Sequence, residues 1–82
     1  MNVDLQRYSA DEVEHLFRLC GFDEQTQTVL RLRFGLEKGT PLSLGDTSAL
    51  VGITREQVRK IEIKAMRVIE TISLKDWNKS RP

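Results

Sequence analysis

The chain has 82 residues, room for one small domain whose thin core several well-packed helices must supply. Aromatic content is 6%, no apolar run approaches the length that crosses a bilayer, and the opening MNVDLQRYS lacks the basic-then-apolar layout of a secretory signal. Cys20 and His15 are each the single residue of their type, which excludes an internal disulfide and a Cys/His metal site, so no cofactor or metal is expected and the expected location is cytoplasmic.

The formal net charge of +1 conceals a polarity along the chain. Residues 1–30 carry two basic and six acidic side chains, net −4, whereas residues 31–82 carry eleven and six, net +5. An acidic front joined to a basic back suits a molecule that meets protein with one end and nucleic acid with the other.

In chain order, residues 1–9 read as an arm. Ser9-Ala10-Asp11-Glu12 is a capping box, followed at helical spacing by Val13, Leu16, Phe17 and Cys20, with Gly21 as the stop. Asp23 opens a second helix to about Phe34, with Thr26, Val29, Leu30 and Phe34 facing inward and Gly35 ending it. The segment Leu36 to Pro41 has the turn chemistry of a surface loop. Ser43 caps a short third helix, roughly Leu44 to Val51, and Gly52 separates it from a fourth that runs from Thr54 to about Ser73. Residues 77–82 read as a polar tail, with Trp77 either capping the core or marking a partner surface. No strand pattern appears, and the expected fold is all-α: four helices in one domain, residues 10–76.

The last two helices have helix-turn-helix layout. Thr54 with Gln57 makes a second capping box, and Val58, Ile61, Ala65, Ile69 and Ile72 recur at spacings of three and four along one face. Winding at 100° per residue puts Glu56, Arg59, Lys60, Ile63 and Arg67 on the other face. With Gly52 at the turn, the small residue needed at the crossing is Ser48, and the burying positions are Leu44, Val51, Ile53, Val58 and Ile61. Two positions weaken the third helix: Thr47, where an aliphatic side chain fits better, and Gly45, which costs about 1 kcal/mol of helix propensity relative to Ala.

A plainer reading stands beside this one. The basic residues of the fourth helix also suit a solvated face, with Glu56 and Lys60 as an i,i+4 pair, and Arg31 and Arg33 suit the solvated side of the second helix. His15 reads as a boundary residue and Cys20 as core. Ile63, flanked by cations, fits a thymine methyl, a protein partner or incidental exposure equally.

The run VLRLRFGL, Val29 to Leu36, and TREQVRKIEIKAMR, Thr54 to Arg67, resembles the carboxy-terminal promoter-binding domain, region 4, of the primary bacterial sigma factors. The resemblance spans roughly residues 10 to 72. It implies that the fourth helix grips a −35-like promoter element while the earlier helices dock on the β-subunit flap of RNA polymerase. It implies that Arg55, Glu56 and Lys60 read bases, that Arg59 meets a base edge or the DNA backbone, that Arg33, Ser43, Leu44 and Gln57 meet phosphate, and that Lys64 and Arg67 face activators. The chemistry agrees, since Arg donates to guanine O6 and N7 and Glu accepts from cytosine N4. The acidic front is the expected docking surface, with Phe17, Leu19 and Phe22 as its apolar contacts.

The chain departs from the family at Gln57, usually Arg, at Lys60, often Gln, at Gln25, which replaces a phosphate-contacting Arg, and in LGDTSAL, which replaces an LEEIG-type opening. If Met1 is the natural start, there is no room for the other sigma regions. The expected function is therefore a stand-alone region-4-like transcription protein at the nucleoid, held on the polymerase flap, on a second sigma-like subunit or by an activator. The alternative is an interaction module that keeps the sigma fold and occupies a sigma-binding partner without reading DNA. An enzyme is not expected, because no nucleophile–base set, phosphate-cradling loop or carboxylate pair with a pocket can be assembled.

Overall fold

The computed structural model describes residue 5, residues 8–36 and residues 39–72. They form four helices and no strand: α1 (Ala10–Cys20), α2 (Glu24–Phe34), α3 (Leu44–Val51) and α4 (Arg55–Ile72). Trp77 and the rest of the expected tail lie outside the described residues.

Local chemistry sets every helix start. The Ser9 hydroxyl accepts from the Glu12 amide at 3.1 Å while the Glu12 carboxylate accepts from the Ser9 amide at 2.9 Å. Asp23 accepts from the Thr26 amide at 2.8 Å, and hydrogen bonding from Thr26 holds its carboxyl below the ordinary carboxylate range. Ser43 accepts from the Asp46 amide at 3.0 Å. Thr54 accepts from the Gln57 amide at 3.1 Å, and its own amide donates to Gln57 Oε1 at 2.9 Å. Each of these bonds satisfies an amide that the helix leaves without a partner.

Gly35 ends α2 at φ +65° and also lets the following loop cross it. A β-carbon there would lie 2.6 Å from the Thr40 carbonyl carbon and from the Pro41 nitrogen, so a side chain is excluded on both counts. The loop is then tied back: the Leu42 amide donates to the Leu32 carbonyl at 3.0 Å.

The main core joins Val13, Leu16 and Phe17 of α1 to Leu30 of α2 and to Ala65 and Ile69 of α4. Leu5, from the segment expected to be an arm, is fully buried in the same cluster. Arg31 braces the α1–α2 side. It pairs with Glu14, reaches Gln27 Oε1 at 3.3 Å, and lies over the Phe17 ring at 5.3 Å. Val29 of α2, Thr47 of α3 and Val58 of α4 are also fully buried, and α3 packs against both α2 and α4. The Thr47 hydroxyl is buried there with no hydrogen-bond partner, the structural form of the mismatch expected at that position.

Candidate DNA interface

The turn between α3 and α4 is closed by Gly52 at φ +81°, whose amide donates to the Ser48 carbonyl at 2.8 Å. The Ile53 amide reaches the same carbonyl at 3.2 Å, so one acceptor ends α3 and orients the chain into the Thr54 cap. Val58, Ala65 and Ile69 turn inward, and their burial fixes the rotation of α4 about its axis. That rotation leaves Arg55, Glu56, Gln57, Arg59, Lys60, Ile63, Lys64 and Arg67 exposed.

The first two turns of α4 thus present three cations and one carboxylate: Arg55, Glu56, Arg59 and Lys60. Among the described residues none of the four is held in an ion pair, and the i,i+4 pairing of Glu56 with Lys60 does not form. The cations of α2 differ, since Arg31 and Arg33 are both committed to internal partners. Exposed, unpaired donors and one acceptor on adjacent turns behind a rigid turn can hydrogen-bond the edges of successive base pairs.

Comparison with known proteins gives the family. Residues 19–70 match the family described as Sigma-70, region 4. The chain belongs to that family. Over 44 residues, 54% of the chain, it is 48% identical to the RNA polymerase sigma factor SigA of a Bacillus species. Over the same length it is 46% identical to SigA of Listeria monocytogenes serovar 1/2a. The match spans 12% of the length of each of these sigma factors. No solved structure matches the chain. The sigma region 4 domain is a transcription-related DNA-binding module and not an enzyme. Among the described residues, no helix is long and apolar enough to cross a membrane.

The structure places the expected contacts of this sigma domain unequally. Ser43 and Leu44 stand at the start of α3, where the Ser43 hydroxyl takes the Asp46 amide and the other first-turn amides have no partner within the helix. Gln57 has spent its carbonyl oxygen on the Thr54 cap, which leaves its side-chain amide nitrogen as the group still open to an outside acceptor. Lys64 and Arg67 are exposed farther along α4.

Two expectations need correction. Arg33 is not a free phosphate contact: its Nε donates to Glu62 at 2.7 Å and its Nη1 to the Leu42 carbonyl at 2.6 Å, with the side chain 24% exposed. It clamps α2, the loop and α4 together. Phe17 is not a docking contact either, because it is 1% exposed and occupies the centre of the core. Phe22 is half-buried and packs edge-on against Phe17 at 5.7 Å, while Leu19 is exposed. Phe22 also lines a groove of about 430 Å³ between the α1–α2 turn and α4, with Cys20, Ile61, Ala65 and Val68 forming apolar wall and Gln25 and Lys64 among its polar lining.

Two further residues escaped the pattern. Leu50 is the most exposed large apolar side chain described, on the outer face of α3. Gly45 lies against the side chain of Arg55 across the helix-turn-helix. A glycine at the start of a capped helix was the one available signal for the latter.

Proposed function

We propose that this domain sets the start of α4 in the major groove of a −35-like promoter element while held on RNA polymerase. Arg55, Glu56, Arg59 and Lys60 meet base edges, and the start of α3, with Gln57, meets the flanking phosphates. The observation that carries this reading is the row of exposed, unpaired side chains on the first two turns of α4. The names of the two relatives given above, each an RNA polymerase sigma factor, support the polymerase as the tether. A lone helix-turn-helix buries little surface on DNA, so the second attachment supplies affinity by raising local concentration. Leu19 and Phe22, on the acidic front, dock on the β flap or on a partner sigma subunit, and Lys64 and Arg67 face an activator.

A second reading has one observation in its favour: Arg33, which the family resemblance implies meets a phosphate, has its Nε and Nη1 committed to internal acceptors. In that reading the domain occupies a sigma-binding partner without touching DNA. Amide-resolved NMR titration separates the two. A promoter duplex should shift the signals of residues 43–47 and 55–60, and an isolated flap fragment those of residues 19–25. Shifts from the flap alone, with none from any duplex, would establish the second reading.

A further inference from the structure

Arg55 is the first residue of α4, and its side chain does not project away from α3 but rests on it. A β-carbon at Gly45 would lie 3.1 Å from Arg55 Nε, 3.1 Å from Nη2 and 3.2 Å from Cζ. Three atoms of one planar group at nearly equal distance mean that the guanidinium presents its face to the place where a side chain at residue 45 would begin. Those separations are tighter than an ordinary carbon contact, so a side chain at residue 45 pushes the guanidinium off its resting position by at least a few tenths of an ångström. The displaced group is the free end of a flexible side chain, so the helices need not move. Among the described residues no hydrogen bond or ion pair anchors it elsewhere. Asp46, in the same turn of α3, offsets the positive end of that helix and makes the location tolerable for a cation.

We infer that Gly45 is a specificity-determining position: its bare backbone gives the Arg55 guanidinium a resting place on α3, and so sets the direction from which Arg55 approaches a base edge. Residue 45 acts on base recognition without touching a base. A guanidinium reads a base through two donors in a fixed fork, so a change in its resting direction changes which edge it meets at low cost. A conformer that must be left before binding also lowers apparent affinity by the fraction of time it is occupied. The inference rests on Arg55 being a base reader, and the test separates failure of that premise from failure of the inference itself.

The experiment compares wild type, Gly45→Ala, Arg55→Ala and the double variant by selection from a randomised duplex, with the Arg55 Nε–Hε signal followed by NMR in wild type and Gly45→Ala. Alanine is the better helix former, so Gly45→Ala stays folded and its thermal midpoint does not fall. The expected result is a severalfold change in base preference at one base pair in Gly45→Ala, no such change when alanine is added to the Arg55→Ala background, and a displaced Nε–Hε signal. The same change in both backgrounds, or none in either, overturns the inference. If wild type itself shows no base preference, the reading of Arg55 as a base contact fails, and the NMR signal then decides the resting place alone. An unmoved Nε–Hε signal overturns it.

Discussion

Arg33 and Glu62, 29 positions apart, join α2 to α4 through a charged hydrogen bond of 2.7 Å, and the same guanidinium holds the Leu42 carbonyl at 2.6 Å. Both side chains are mostly shielded, 24% and 21% exposed, so water replaces the lost bonds poorly when one partner is cut away. The clamp fixes the loop that leads into α3 and therefore the position of the helix-turn-helix on its base.

Arg33→Ala should accordingly act on stability. Hydrogen bonds to charged groups contribute about 1.5–3 kcal/mol each, and an unpaired, mostly shielded Glu62 adds to the loss. For a domain of this size each kcal/mol lowers the melting temperature by about 4–8 °C. Arg33→Lys should rescue only part of the loss, since one ammonium does not reproduce the fork that serves two acceptors. Thermal unfolding of both variants reads this directly. An unchanged midpoint with weaker binding to all duplexes would return Arg33 to the phosphate role.

Thr47→Val should raise stability. The two side chains have nearly the same shape, and the hydroxyl is fully buried with no partner. Removing such a group recovers about 1–3 kcal/mol of desolvation penalty. Urea unfolding should move to higher denaturant with an unchanged slope. A fall in stability would mean that the hydroxyl is satisfied in solution.

Cys20 should be a slow nucleophile. Burial pushes its thiol from 9.0 to about 11, so at about pH 8 the thiolate is about a hundredfold scarcer than in an unfolded chain. The sign for stability follows. A folded-state value above the unfolded one means that the contribution is complete below the unfolded value and is lost as pH rises from 9.0 towards 11. Alkylation by iodoacetamide, native against urea-unfolded, measures it. Equal rates would show the thiol to be accessible.

Much of this architecture was legible because it is local. A cap needs only an acceptor and an amide three residues away, so the starts at Ser9, Asp23, Ser43 and Thr54 followed from short windows. The inward stripe of α4 followed from its periodicity, and with it the outward set Glu56, Arg59 and Lys60. The clamp of Arg33 is not legible in the sequence, because its partner is 29 residues away and nothing near it in the chain announces Glu62. The position of Phe17 on the apolar stripe of α1 suits both the core and a docking face, and only the packing of α4 over α1 decides for the core. Leu5 stands outside any periodic run, so its burial had no signal. The rest of Arg55 on Gly45 depends on the crossing of two helices, which a linear pattern does not contain.

Lys60 tests the departure from the family on the reading face. A lysine only donates, which suits guanine O6 and N7 or a phosphate, whereas a glutamine also accepts and suits adenine. Lys60→Gln should move the selected site towards the ordinary sigma hexamer. If Lys60 also neutralises a phosphate, the salt slope should fall by about one counterion. Identical selected sites and an unchanged slope would place Lys60 against solvent or a protein partner.

The central claim, that the start of α4 reads bases, is tested most directly by the ratio of affinities for a −35-like duplex and a scrambled one at a fixed salt concentration, in wild type and in Arg55→Ala. Arg55 is exposed and outside every ion pair among the described residues, so its truncation leaves the fold intact and removes only what it does at the surface. An edge contact carries about 1–3 kcal/mol of discrimination, so the account predicts that wild type prefers the promoter duplex and that Arg55→Ala loses most of that preference while keeping its affinity for scrambled DNA within severalfold. Equal affinities of wild type for the two duplexes, or a preference untouched by the substitution, would contradict it.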